Sequence, residues 1–151
     1  MASLYRQSNA VAKAMLDNVI NNLCNAGLGN AIINVYTGTT PTNCEDAATG
    51  TLLGTCIMNA TPFGAASDLS PGAQITANAI TPEYSAVAAG TAGYFRVYST
   101  DGNSDASKLD CIIQGSAGEA ADSTDMTLDN KTIALGGTIQ VTSFSVTMPE
   151  T

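Results

Sequence analysis

Thr138-Ile139-Gln140-Val141-Thr142-Ser143-Phe144-Ser145-Val146-Thr147-Met148 is built of β-branched, aromatic and small polar residues, with no proline or glycine. That is the composition of a pleated, half-buried surface. Successive side chains of a strand point to opposite faces. Ile139, Val141, Ser143, Ser145 and Thr147 therefore share one face, and Gln140, Thr142, Phe144, Val146 and Met148 the other. Both faces are partly apolar, which predicts a strand covered on both sides.

The same signals recur toward the N-terminus. Residues 31–36 (Ala-Ile-Ile-Asn-Val-Tyr) end at Thr37-Gly38-Thr39-Thr40-Pro41, and residues 51–58 are followed by a turn around Thr61-Pro62-Phe63-Gly64. Residues 73–80 alternate, with Ile75, Ala77 and Ala79 against Gln74, Thr76 and Asn78. Residues 92–99 hold the aromatic run Tyr94-Phe95-Arg96-Val97-Tyr98, residues 109–114 follow a polar stretch, and Met126-Thr127-Leu128 is short. Short strands broken by Gly, Pro, Asn and Asp predict a mainly β fold, an antiparallel β-sandwich or jelly-roll-like domain. No βαβ alternation is present, which argues against a doubly wound parallel sheet. Residues 99–108 (Ser-Thr-Asp-Gly-Asn-Ser-Asp-Ala-Ser-Lys) read as an exposed hairpin loop.

Ser3 to Ala26 is the one convincing helix. Leu4, Val11, Met15, Val19 and Leu23, with Ala12, Leu16 and Ile20 beside them, keep spacings of three and four, and Asn18, Asn21, Asn22 and Asn25 lie opposite. Ser3 or Ser8 serves as N-cap, and Gly27 and Gly29 supply the stop. The expected organisation is an amphipathic α-helix over residues 1–28, either packed on the sheet or projecting as an arm, and a β-sandwich domain over 29–151.

Of 151 residues, nearly half are Ala, Gly, Ser or Thr, and about a fifth are Leu, Ile, Val or Phe. The core is thin for its length, so neighbours in an assembly are expected to share the burden of stability. A net charge of −8 excludes nucleic acid as a partner, because cationic side chains drive that binding, and basic membrane-surface binding fails likewise. No apolar run is long enough to span a bilayer. Met1-Ala2-Ser3-Leu4-Tyr5-Arg6 lacks the apolar core of a secretory signal, and the expectation is a cytosolic origin with later release by lysis.

Catalytic equipment is sparse. The chain has no histidine, so neither a Ser-His-Asp nor a Cys-His arrangement can be assembled from it. Lys13, Lys108 and Lys131 sit in polar settings. Glu45-Asp46 and the carboxylates at Asp122 and Asp125 fall in Ala/Ser/Thr-rich turns and read as solvated loop charges rather than a glycosidase pair. Asp101, Asn103 and Asp105 match the first ligands of a calcium loop, but Ala106 stands where glycine is needed and Ile112 where a glutamate belongs. Cys24, Cys44, Cys56 and Cys111 contain no CxxC pair, which disfavours zinc. They read as small buried apolar residues, with a disulfide formed on exposure to air or medium as the alternative. Gly27-Leu28-Gly29 precedes a strand, the reverse of a phosphate-cradling order. Asn59-Ala60-Thr61 and Asn130-Lys131-Thr132 are sequons that matter only in a eukaryotic secretory pathway. No catalytic, cofactor or metal residue is assigned, and the chain is expected not to be an enzyme.

Several segments occur in a recognisable order: Ile33-Asn34-Val35-Tyr36-Thr37-Gly38-Thr39-Thr40-Pro41, Ala48-Thr49-Gly50-Thr51-Leu52-Leu53, Phe63-Gly64-Ala65-Ala66 and Thr76-Ala77-Asn78-Ala79-Ile80. Gly90-Thr91-Ala92-Gly93-Tyr94-Phe95-Arg96 and Gly136-Gly137-Thr138-Ile139-Gln140-Val141-Thr142-Ser143-Phe144 complete the series. In this order the chain resembles small virion proteins of tailed bacteriophages. The resemblance implies a virion structural component, a capsid cement or decoration protein on the capsid exterior that bridges capsomers of the major capsid protein. A homo-oligomer, trimer or dimer, would match shell symmetry. No contact residue is carried over, because residues 103–108 make a longer loop than the family's hairpin. The competing class is a head-fibre or tail domain that recognises a host glycan through Tyr84, Tyr94 or Tyr98, and a third is a head–tail joining component.

Overall fold

A computed structural model describes residues 7–24, 30–99 and 111–149. The first and last residues of the expected helix, its Gly27 and Gly29 stop, the calcium-like Asp101, Asn103 and Asp105, Lys108, and the start of the strand expected at 109 lie outside the described residues.

The helical segment runs as α1 (Asn9–Met15), a π-helical stretch (Leu16–Ile20) and α2 (Asn21–Cys24). Ser8 is the N-cap, its side chain accepting from the Val11 N–H at 3.4 Å. The wider middle has a local cause. Asn18 Nδ2 donates to the Ala14 carbonyl at 3.0 Å, the acceptor that α geometry reserves for Asn18's own N–H, and the Asn21 N–H reaches back five residues to Leu16 O. In an α-helix an i,i+4 step overshoots a full turn by about 40°; a π turn takes up that drift. Ala12, Leu16, Ile20 and Cys24 therefore stay in line and face the core, with Ala12 and Leu16 fully buried. Of the two placements weighed for the helix, packing on the sheet is the one observed. Asn9 Oδ1 accepts from Gly72 N and Asp17 Oδ1 from Ala66 N, both at 2.7 Å, and Lys13 approaches Asp68 at 3.9 Å.

Among the described residues nine strands follow: β1 (Ile32–Thr37), β2 (Leu52–Ile57), β3 (Ser67–Asp68), β4 (Ala73–Thr76), β5 (Gly90–Tyr98), β6 (Cys111–Gly118), β7 (Met126–Leu128), β8 (Thr132–Ile133) and β9 (Val141–Met148). They form one hydrogen-bonded path, β2-β1-β5-β6-β7-β9-β4-β3, with β8 on β5. The chain is thus mainly β with one N-terminal helical segment. Among the described strands all pairings are antiparallel, as expected, except β6 with β7, which is parallel. Two expectations change. The alternation over 73–80 supports a strand only to Thr76, because Asn78 turns away to donate to Pro62 O and Thr61 O. The last strand begins at Val141 rather than Thr138, since Ile139 bridges instead to Glu83.

Apolar side chains of one sheet face make the core. Ile33 and Val35 of β1, Phe95 and Val97 of β5, Leu53 and Cys56 of β2, and Met126, Leu128, Ile75 and Phe144 are all buried. Phe144 meets Phe95 edge-on at 5.0 Å and Phe63 at 5.6 Å, so β9 lies against β5 although two strands, β6 and β7, separate them along the path. The open edge of β2 is a pairing hazard. It is covered by residues 81–87: Thr81 exchanges backbone bonds with Ile57, Glu83 Oε2 accepts from Thr55 N, and Val87 N donates to Leu53 O.

Gly93 marks where β5 meets the end of β1. A Cβ there would stand 1.9 Å from Gly38 O, a backbone atom that has no rotamer to escape through. Gly93→Ala is expected to cost about 1–3 kcal/mol, the usual scale of overpacking. Urea unfolding followed by circular dichroism checks this.

Candidate functional site

Asp46, Asp122 and Asp125, read as solvated loop charges, each have defined partners in the fold. Asp122 pairs with Lys131 at 2.8 Å and caps the Ala120–Asp122 turn by accepting from Glu119 N. The Lys131 ammonium and that backbone bond hold the Asp122 carboxyl below its usual range. Asp125 Oδ2 accepts from both Ser116 N and Ser116 Oγ, and Asp46 Oδ2 accepts from Asn43 N. Each is a turn or loop fastener. Among the described residues no cluster of three or more Cys, Asp or Glu is placed to hold a metal ion. A shallow groove of about 180 Å³ lies between residues 76–80 and 141–144. It carries no charged side chain and falls short of the several hundred Å³ of ordinary small-molecule sites.

The sheet face opposite the core is more specific. Asn34 of β1, Arg96 of β5 and Gln114 of β6 are register partners across three strands, with Thr55 of β2 beyond Asn34. Around this polar row Tyr36 stacks on Tyr94, ring centroids 5.0 Å apart. Burial pushes the Tyr36 phenol up to about 12, a hydrogen bond with Tyr98 adding to the effect and one from Asn34 opposing it. Tyr94 is fully buried, Tyr98 half-buried and Tyr84 exposed, so of the three tyrosines considered for sugar stacking only Tyr84 offers a free ring.

What covers Tyr94 and Arg96 is the β1–β2 connection. Residues 41–50 cross the β5–β6 face as a strap. Gln114 Nε2 donates to Pro41 O at 2.7 Å, Arg96 Nη1 to Asp46 O at 2.7 Å and Arg96 Nη2 to Asn43 O at 3.4 Å. The Tyr94 hydroxyl donates to Thr49 O and accepts from Thr49 N. Cys44 and Cys111 are joined by a disulfide. This corrects the reading of all four cysteines as small apolar residues, which holds for the buried thiols of Cys24 and Cys56 alone. No strap residue is itself fully buried, Pro41 and Cys44 being half-buried and the rest exposed, so little apolar area of its own pulls the strap down. Hydrogen bonds of this kind return about 0.5–1.5 kcal/mol each, whereas ordering each backbone residue costs about 1–2 kcal/mol. The cross-link, closing a separation of 67 residues, narrows the unfolded ensemble by about 4 kcal/mol in the chain-entropy account.

Beneath the strap, Arg96 is 2% exposed, and both its Nε and Gln114 Oε1 are buried without a hydrogen-bond partner. Among the described residues no carboxylate pairs with this guanidinium.

The helix presents a second surface. Val11, Met15, Val19 and Leu23 are 42%, 38%, 47% and 47% exposed. They form a row parallel to the core-facing Ala12-Leu16-Ile20-Cys24 row, kept straight by the same π stretch. In the sequence seven of these eight, all but Cys24, read as one apolar stripe; only the π geometry and the sheet divide them into a core row and a free row. Tyr84, Val87 and Leu135 form another exposed apolar set, on turns tied together through Ala86 N to Gly137 O and Gly136 N to Ala86 O.

The free thiols give a pH test. Burial raises Cys24 from 9.0 to about 12 and Cys56 to about 11, while Tyr36 rises from 10.0. The fold therefore favours the neutral forms. That contribution is complete below pH 9 and is lost as pH climbs through 11 to 12. The melting temperature is expected to fall steadily above pH 9, and at pH 8 Ellman's reagent should find no thiol until denaturant is added. Two reactive thiols in the native chain at pH 8 would contradict the burial.

Among the described residues no helix is long and apolar enough to cross a membrane. No protein-family model matches the chain, and neither a curated protein nor a solved structure does.

Proposed function

We propose that this chain is a structural subunit of a tailed-phage particle, a capsid cement or decoration protein that bridges capsomers of the major capsid protein from the capsid exterior. In this reading the β part is a sandwich or jelly-roll-like domain acting as a homo-oligomer. The observation that carries it is the free helical row. Val11, Met15, Val19 and Leu23 stand exposed on a helix whose adjacent row is anchored in the core, and the flanking Asn18 and Asn22 carry no charge. A preformed, charge-free apolar ridge is a docking element that loses little entropy on binding.

Its size fits an array better than an isolated pair. Four partly exposed side chains amount to a patch of a few hundred Å², well below the ~800 Å² per partner of a stable two-body interface. Repetition over a symmetric shell turns such contacts into avidity. The net charge of −8 keeps the free subunit soluble and away from packaged DNA.

The test is to mix the purified chain with empty capsids and image them. Saturable binding at one class of symmetry-related shell sites is expected. Absence from shell, neck and tail of every purified particle would overturn the proposal. Location on a fibre, with saturable glycan binding, would move the chain to the recognition class.

A further inference from the structure

We propose that residues 41–50 are a redox-latched cover, held over Tyr94, Arg96 and Gln114 only while Cys44 and Cys111 are joined. Three observations converge on it. The strap contributes no fully buried side chain, so the apolar area that closure hides is chiefly the Tyr94 ring beneath it. Its polar anchors are Gln114, Arg96 and Tyr94, all donating to strap carbonyls, and water serves those donors equally well once the strap lifts. Closure also strips water from a permanently charged guanidinium whose Nε finds no acceptor, a cost that opening relieves. Hydration of the guanidinium and chain entropy thus favour the open form, and the covalent bond, together with the cover over the Tyr94 ring, opposes them.

The chemistry is thiol–disulfide exchange. The thiolate of Cys44 or Cys111 attacks a small-molecule disulfide such as oxidised glutathione and releases one glutathione thiol. The second cysteine then displaces the other, leaving the protein disulfide and two reduced glutathiones. A dithiol reductant reverses both steps. Cys24 and Cys56, buried and with raised pKa, stay outside the exchange. In a thiol-rich compartment the chain therefore presents a face with Tyr94, Arg96 and Gln114 uncovered, and in an oxidising one that face is sealed. This holds whichever larger body the chain joins.

The test uses the full chain with dithiothreitol and then oxidised glutathione, thiol titration confirming each state. On reduction the far-UV circular dichroism should persist. Phenylglyoxal should modify Arg96, located by peptide mapping, and the Thr49 amide should exchange, each at least about tenfold faster, while Ile33, Val35 and Val97 amides stay protected. Oxidised glutathione should restore the slow rates, and the double variant Cys44→Ser/Cys111→Ser should behave as permanently reduced. If Arg96 and Thr49 remain protected with the bond open, the strap needs no latch and the proposal fails. It fails equally if the core strands lose protection together with the strap, because the bond then staples the whole fold.

Discussion

Phe144→Ala is expected to lower the free energy of unfolding by about 3–5 kcal/mol, the range for an aromatic residue deleted from a packed core. Phe144 is 3% exposed and is the ring that joins separated parts of the sheet, edge-on to Phe95 and tilted against Phe63. Each ring contact adds about 0.5–1.5 kcal/mol beyond the area it buries. Its strand pairs with β7 on one side and β4 on the other, and its carbonyl accepts from Ala77 N, so a collapsed cavity would also disturb both registers. Against a typical total of about 5–15 kcal/mol, the variant should be close to unfolding at 37 °C. The control is Ser143→Ala on the same strand, an exposed position expected to stay within about 0.5 kcal/mol. Urea melts read by tyrosine emission, which no tryptophan masks, separate the two. A loss below about 1 kcal/mol for Phe144→Ala would mean that the ring cluster is not what holds β9 to β5.

The strands that carry this core were legible because their chemistry repeats. Ile33 and Val35 alternate with Asn34, and Phe95 and Val97 with Arg96, and in each case the apolar set is the one that faces the core. Period two fails where there is no period to see. β3 and β8 are two residues long, and Gly115-Ser116-Ala117-Gly118 of β6 has no side chain large enough to mark a face. Their pairing is dictated by neighbours. The disulfide was illegible for a related reason: Cys44 and Cys111 are 67 residues apart and meet because antiparallel pairing sets β6 beside β5 while the β1–β2 connection doubles back over both. Alternation likewise put Tyr94 and Arg96 on one face, but only the strap explains why that polar face is buried. In the helix the apolar positions were legible and their division was not, since spacing assigns a stripe and only the packing partner decides how wide a stripe is used.

That division leads to the second large effect. Under the proposed docking role, Val19→Asp is expected to abolish binding to shells while leaving the isolated chain as stable as before, within about 0.5 kcal/mol. The side chain of Val19 is 47% exposed, and aspartate differs little from valine in helix propensity, so the free chain loses almost nothing. In a docked state the same position would be covered. A carboxylate buried without a partner costs several kcal/mol, and each 1.4 kcal/mol is a factor of about ten in affinity, so per-site binding should fall by at least about a hundredfold, before avidity multiplies the loss. Two companions make the result interpretable. Asn22→Asp adds the same charge off the row, at an exposed position, and should bind shells normally, which removes net charge as the explanation. Leu16→Ala empties a fully buried position in the adjacent row and should do the reverse, costing about 2–5 kcal/mol of stability with the docking ridge chemically intact. Shell binding by Val19→Asp equal to that of the native chain would show that the exposed row touches nothing in the particle, and would leave the turns bearing Tyr84, Val87 and Leu135 as the surface to be altered next.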